Sequence, residues 1–144
     1  MNEAGFRDVA RLSTAPLVAT HSNAHAICPH ARNLTDEQLR IIADSDGMVG
    51  LNFATAFLRP DGRMIPDVAF ETMLRHLDHL IGILGETRVG LGSDYDGAVM
   101  PEALATAAGL PALRDAMRQH GYDAAPQRRL MCDNWLSALE RIWH

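Results

Sequence analysis

Short apolar runs alternate with helical segments three times along the 144 residues, and this alternation constrains the fold more than any other feature. The apolar runs cover 15–20, 48–53 and 88–94, and helical segments at about 35–45, 67–84 and 111–120 follow them. Two strands joined by a helix of this length pair in parallel, because the helix carries the chain back to the same end of the sheet. The sequence therefore predicts an α/β fold of about three parallel strand–helix units and a C-terminal helix.

Local signals predict where these elements begin and end. The apolar run after Pro16 predicts a strand that is buried on both faces. Thr35 and Gln38 are spaced as a capping box, and Gly47 can adopt the left-handed conformation that ends a helix. Asp123 is expected to cap the last helix, with a proline tolerated in its first turn. That helix is expected to turn four apolar side chains inward: Leu130, Leu136, Leu139 and Ile142.

A polar residue that can take part in catalysis or binding lies at the end of each predicted strand. These residues are His21, Asn52 and Asp94. Active sites of (β/α)8 barrels are built at the carboxyl ends of the strands, so this placement favours a barrel. The spacing alone leaves open whether the sheet is closed or open.

Composition limits the classes of partner. The formal net charge is −5 at pH 7, which argues against nucleic acids and anionic membranes, since both select clusters of Lys and Arg. No apolar run approaches the roughly 20 residues that span a bilayer. The two cysteines lie far apart, without the spacing of a disulfide framework or a zinc motif. We expect a cytoplasmic protein with a small-molecule partner.

Two residues near the first strand end are candidates for binding. The imidazole of His21 is expected at the rim of the sheet, where it can hold a metal or act as an ordinary loop residue. Arg32 lies in the loop that follows, and its guanidinium can pair in bidentate fashion with a substrate carboxylate, although most surface arginines do not. His25 and His30 share this loop without forming a recognised zinc pattern, and we interpret them as loop residues.

Two carboxylates follow the third strand. Asp94 and Asp96 lie in a glycine-containing loop, where they can share acid–base work or hold a cation. The alternative is a turn whose aspartates bond their own backbone, and the sequence favours neither. His76 and His79 lie three residues apart on the second helix, which we interpret as structural because the apolar stripe of that helix packs it on the sheet, away from the strand ends.

Five segments in order carry a resemblance to the membrane dipeptidase family, also called renal dipeptidase or peptidase family M19. They are 20–24 (Thr-His-Ser-Asn-Ala), 28–39, the strand end 52–53, 76–79 (His-Leu-Asp-His) and 89–97. The match is collinear over nearly the whole chain. Each motif is weak alone, but five in the order and spacing of the family are specific.

The resemblance implies a fold and a set of roles. The fold is the C-terminal portion of a metallo-dependent hydrolase-like (β/α)8 barrel, with residues 1–144 as a single partial domain. The family uses two zinc ions to hydrolyse dipeptides, and its members often form homodimers. By this resemblance, His21 binds a metal and Arg32 binds the terminal carboxylate of the substrate. Asp94 is the catalytic acid/base and also contacts the substrate.

The sequence also departs from the family pattern. The family's His-x-Asp motif, its bridging glutamate and its other second-metal histidine align before Met1. One imidazole is too few for a zinc pair, because a catalytic zinc needs about three protein ligands. We therefore expect a fragment of a metallodipeptidase that is inactive in isolation. The alternatives are a non-catalytic remnant or half-barrel that requires a partner half, and a different barrel hydrolase, against which the Arg32 loop and the Asp94 motif together argue.

Overall fold

The computed structural model describes residues 2–143, so the predicted domain limits Met1 and His144 lie outside the described residues. Seven α-helices and three strands follow one another among these residues, with short 3-10 turns at Glu102–Leu104 and Ala107–Gly109. In chain order they are α1 (Glu3–Leu12), β1 (Val18–Ala19), α2 (Asp36–Asp44), β2 (Met48–Leu51), α3 (Thr55–Leu58), α4 (Phe70–Leu84), β3 (Val89–Leu91), α5 (Leu110–His120), α6 (Ala124–Arg128) and α7 (Asn134–Ile142).

The strands form one parallel sheet in the order β1-β2-β3. Val18 pairs with Met48, and Val49 pairs with Val89. The predicted parallel strand–helix units are therefore confirmed, although each strand is shorter than the apolar run that predicted it. All three strands end at the same edge of the sheet, which brings the loops that follow them together.

The burial predicted for the first strand is wrong. Val18 keeps 37% of its surface exposed, and Ala19 is half-buried. The reason is position, because β1 lies at an edge and pairs with β2 alone within residues 2–143. β2, between the two other strands, is buried throughout.

The first connecting helix begins as predicted and ends differently. The Gln38 backbone N–H donates to Thr35 Oγ1 at 3.3 Å, and the Thr35 N–H donates to Gln38 Oε1 at 3.0 Å, which confirms the capping box. The left-handed residue after α2 is Asp46, with φ 55°, and not Gly47. Gly47 serves close packing instead, since a Cβ there would lie 2.0 Å from the Leu17 carbonyl oxygen.

The core lies between the sheet and the helices that cover one of its faces. Val49, Leu51 and Val89 point into it from the strands. The predicted apolar face of α4 is confirmed, and each fully buried leucine on it contributes about 1.5–3 kcal/mol to folding. Five of its predicted members are buried and two are partly buried against the core: Met73, Leu74, Leu77, Leu80, Leu84, Phe70 and Ile81.

The C-terminal segment contains a register shift that the sequence did not predict. A π-helical turn, Arg129–Asp133, separates α6 from α7. Such a turn adds a residue and rotates every later side chain around the helix axis. Leu130, within the π-helical turn, is buried, whereas Leu136, after it, is 55% exposed, so the predicted inward position of Leu136 is wrong. Asp123 does occupy the N-cap position of α6, but its side chain makes no capping hydrogen bond.

Glycines replace side chains on the sheet face opposite the core. A Cβ at Gly50 would lie 2.1 Å from the Thr20 carbonyl oxygen and 2.9 Å from both Gly92 Cα and the Trp135 ring. The backbone after β1 and the Trp135 indole therefore approach β2 more closely than any side chain at Gly50 would allow.

Gly50→Ala is expected to lower the free energy of unfolding by about 1–3 kcal/mol, because backbone must shift to admit the methyl group. Gly82→Ala is the matched control. Gly82 lies on exposed α4 surface with nothing within 4 Å of the place that an added methyl group would occupy, so alanine should raise stability by about 0.5–1 kcal/mol. Urea denaturation of both variants measures the two effects, and equal stability of the two would contradict the close approach at Gly50.

Within residues 2–143, none of the helices combines the length and the apolar character that crossing a bilayer requires.

Candidate active site

Backbone hydrogen bonds hold the three strand-end loops in register. The Ser22 N–H donates to the Gly50 carbonyl at 2.8 Å, and the Phe53 N–H donates to the Ser93 carbonyl at 2.9 Å. Each loop is thus fixed to the end of its neighbouring strand. The consequence is that His21, Asn52 and Asp94 share the carboxyl edge of the sheet, as their positions in the sequence predicted.

His21 has hydrogen-bond partners at both ring nitrogens. Nδ1 lies 2.7 Å from Thr20 Oγ1, and Nε2 lies 3.3 Å from Arg32 Nη2. A guanidinium can only donate, so Nε2 must accept and the proton of a neutral imidazole resides on Nδ1, which donates to Thr20. In this tautomer Nε2 carries a lone pair, which accepts from Arg32 here and is the form that a metal would require.

Arg32 is exposed and rests on an aromatic ring. Its guanidinium carbon lies 5.3 Å from the centre of the Phe57 ring, within the range of a cation–π contact. The His30 ring also packs on Phe57, with centroids 4.7 Å apart, and His30 Nδ1 accepts from the Arg32 backbone N–H at 3.2 Å. His21 and Arg32 line the same cavity of about 710 Å³, which extends beside β1 toward α1 and also includes His25.

Asp94 stands on a strained backbone. Its φ is 75°, and that of Asp96 is 63°, a left-handed conformation that costs a non-glycine residue about 1–2 kcal/mol. Asp94 Oδ2 accepts from Asn52 Nδ2 at 3.0 Å. Its other oxygen, Oδ1, faces Gly97, where an added Cβ would lie 2.9 Å away. Such strain is found where the surrounding structure fixes a functional side chain.

Two buried asparagines, Asn23 and Asn52, connect the loops; the sequence placed Asn52 at a strand end but gave it no specific role, and it did not single out Asn23. Asn52 exchanges hydrogen bonds with Asn23: the Asn52 backbone N–H donates to Asn23 Oδ1, and Asn23 Nδ2 donates to the Asn52 carbonyl, both at 2.9 Å. Both residues are fully buried. Buried polar groups are retained only when they are hydrogen-bonded. The signal available in the sequence was the position of these asparagines after a predicted strand.

His76 is a buried structural histidine beneath two of these loops. Its Nδ1 accepts from the Ala24 N–H at 3.2 Å, and Nε2 donates to the Leu58 carbonyl at 3.0 Å. Burial disfavours the charged ring and lowers the pKa of His76 to about 4. His79 contacts Asp36 at 2.8 Å. These contacts agree with a structural role for both, but His76 lies nearer the strand-end loops than the sequence indicated.

The described residues do not form a metal site by themselves. Within residues 2–143, no group of three His, Cys, Asp or Glu side chains is arranged to hold a metal ion. The site edge supplies the His21 imidazole and the Asp94 carboxylate, whereas a catalytic zinc takes about three protein ligands. These residues alone therefore do not fit a zinc pair.

The parallel strand–helix units and the polar residues at the strand ends define this chain as part of a (β/α)-barrel protein. The family model for membrane dipeptidase, peptidase family M19, matches residues 1–143. The chain belongs to this family.

Similar proteins agree with this assignment. A Rhodobacter sphaeroides metallopeptidase, solved with a phosphinate mimic of the dipeptide L-Ala-D-Ala, is 62% identical, with a TM-score of 0.97 over 99% of this chain and 41% of its own. An uncharacterized Klebsiella pneumoniae protein from the pqqA 5' region is 54% identical over 99% of this chain and 53% of its own length. The Pseudomonas aeruginosa probable dipeptidase PvdM, 21% identical, shares the fold, with a TM-score of 0.90 over 99% of this chain and 48% of its own. The chain thus spans about half the length of these relatives.

Proposed function

We propose that this chain supplies the carboxylate-binding and proton-transfer side of a zinc-dependent dipeptidase site. The observation that carries the proposal is the shared strand-end edge, where the Arg32 guanidinium lies 3.3 Å from His21 and Asn52 joins that edge to Asp94. An exposed cation and a hydrogen-bonded carboxylate in neighbouring strand-end loops suit a small zwitterionic substrate, and a dipeptide is such a molecule.

Arg32 would bind the terminal carboxylate of the dipeptide. Its planar guanidinium offers two parallel N–H donors that match the two carboxylate oxygens. The Phe57 ring beneath it supports the guanidinium on one face and leaves its donors toward the cavity. This support lowers the entropy lost when the substrate binds.

Asp94 would move the proton that hydrolysis must deliver to the leaving amine. Asn52 holds Oδ2, so Oδ1 is the oxygen available for accepting a proton and returning it. A carboxylate that accepts and then donates is a general base followed by a general acid. It would also touch the substrate nitrogen during this transfer.

His21 would be a ligand of one of two zinc ions, through Nε2. Bound zinc supplies an activated water at neutral pH. The remaining ligands must come from outside residues 2–143. Arg32 donates to the same Nε2, and a lone pair serves one acceptor role at a time, so a metal held by Nε2 would take the place of the Arg32 donor. Release from His21 would free the guanidinium for the substrate carboxylate.

A partial barrel without activity of its own is the second candidate. Two observations on residues 2–143 favour it: they contain no group of three metal-binding side chains, and β1 pairs with β2 alone. In that case the chain would need a partner half, or a second copy, to complete a site.

A full-length chimera tests the first proposal. In it, this chain replaces the 62% identical segment of the Rhodobacter sphaeroides metallopeptidase. We expect the chimera to bind zinc and to hydrolyse L-Ala-D-Ala, with activity lost to a chelator and restored by zinc. A folded chimera that binds zinc and leaves dipeptides intact would overturn the proposal.

Arg32→Lys in the chimera is expected to raise KM for dipeptides by about 10-fold, since a bidentate pair becomes a single point charge and loses about one charged hydrogen bond. Steady-state kinetics on L-Ala-D-Ala and on its carboxamide measure the effect. The carboxamide, which lacks the terminal charge, is the control and should respond little. Equal losses on both substrates would show that Arg32 acts elsewhere.

A further inference from the structure

We propose that Asn52 is a positioning residue that selects which oxygen of the Asp94 carboxylate is free to exchange a proton. This inference rests on the proposed function of Asp94. It extends that function to a residue that contacts neither the metal nor the substrate.

The hydrogen bonds of Asn52 leave it no freedom to rotate. Its Oδ1 accepts from the Ala54 N–H at 2.6 Å, which fixes the amide plane and the assignment of oxygen and nitrogen. Its backbone is fixed by the reciprocal bonds with Asn23. The Nδ2 group is therefore directed to one place, with Asp94 Oδ2 at 3.0 Å and the His21 carbonyl at 3.5 Å.

Asp94 depends on this donor. It is half-buried, its φ is 75°, and Oδ2 accepts from a fully buried amide. A carboxylate with two free oxygens can present either one by a flip of its terminal torsion. The Asn52 donor makes the oxygens unequal, because Oδ2 accepts its hydrogen bond whereas Oδ1, which lies near Gly97, accepts none from the described residues. Proton transfer requires reacting atoms at hydrogen-bond distance in one orientation, so fixing the oxygen raises the reactive fraction.

The same amide links two sites of the proposed reaction. Asn52 Nδ2 approaches the backbone of His21 and the side chain of Asp94. The Asn52 side chain, directly after the central strand β2, thus lies between the backbone of His21 and the carboxylate of Asp94. Outer partners of this kind typically affect activity by about 10–100-fold.

Asn52→Asp tests the inference at nearly constant volume. The change keeps the oxygen that accepts from Ala54 and replaces the donor to Asp94 with a second acceptor. In the chimera we expect kcat to fall by about 10–100-fold with KM changed by less than about 3-fold, since substrate binding by Arg32 is untouched. Should Asn52→Asp fail to fold, Asn52→Ala also removes the donor, and the same loss is expected.

Asn134→Asp is the matched control. Asn134 is also buried, and its Nδ2 donates to the Glu86 and Val89 carbonyls at the start of β3, away from Asp94. The same chemical change there should cost stability and leave kcat within about 3-fold. Comparable losses of kcat in both variants would show a merely structural effect and overturn the inference.

A spectroscopic arm keeps the inference separate from the proposed function. In the 144-residue chain with isotope-labelled asparagine, Asp94→Gly removes the carboxylate while retaining a residue suited to φ 75°. We expect the Asn52 side-chain amide protons to shift upfield and those of Asn134 to stay in place. An unmoved Asn52 resonance overturns the inference even if the chimera is active. If the resonance moves in the 144-residue chain and the chimera has no dipeptidase activity, the orientation of Asp94 is supported and only the proposed function is overturned.

Discussion

Asp94→Asn is expected to lower the kcat of the full-length chimera by about 10²–10⁴, the usual contribution of a general acid/base. An amide cannot accept and return a proton, whereas it matches the carboxylate in size. Asparagine also tolerates the left-handed φ of 75° at this position, so the backbone should remain in place. Steady-state kinetics measure the loss, and metal analysis of the same samples should show nearly unchanged zinc.

Asp96→Asn is the control for this substitution. Asp96 has the same left-handed backbone, φ 63°, but is exposed, and none of the described side chains donates to it as Asn52 does to Asp94. Its replacement should cost much less if it only stabilises the turn. Loss of zinc in proportion to activity in Asp94→Asn would identify Asp94 as a ligand, and a near-normal kcat would remove it from the mechanism.

The order of the sheet was predictable because it follows from chain connectivity. A strand, a helix and another strand leave few arrangements, and the parallel order β1-β2-β3 is one of them. The capping box at Thr35 was predictable for a related reason, since its two partners lie three residues apart and no distant residue takes part. Signals confined to a few residues can be read from the sequence.

Features that depend on distant residues were predicted wrongly. Gly47 was expected to stop a helix, but the approach of Leu17, far earlier in the chain, requires a glycine there. Leu136 fits the apolar period of the last helix, and the π-helical turn before it changes which face points inward. A regular period read from the sequence has no means of detecting an added residue in the helix.

In the candidate site, too, features set by neighbouring residues could be predicted and features set by distant residues could not. His21 and Asp94 were identified as candidates because each directly follows an apolar run, and the carboxyl ends of parallel strands meet at one edge. The roles of Asn23 and Phe57 depend on partners distant in the chain, Asn52 and Arg32 respectively. Asparagine and phenylalanine are also common in loops and cores, so their type carried little information.

The isolated 144-residue chain is expected to show negligible dipeptidase activity, which is the largest contrast with the chimera. The reason is the number of metal ligands. One catalytic zinc requires about three protein ligands, and His21 and Asp94 offer fewer. If metal binds weakly, no water is activated to attack the peptide bond. The positions of Asp94 and Arg32 then cannot produce hydrolysis. Hydrolysis of L-Ala-D-Ala and zinc content are measured for the chain alone, for the chimera, and for the chain mixed with the separate remaining segment of the relative. If mixing restores both hydrolysis and zinc content, the chain is one half of an assembled site. Robust, chelator-sensitive hydrolysis by the pure chain would contradict the prediction and show that residues in this chain complete the metal site unaided.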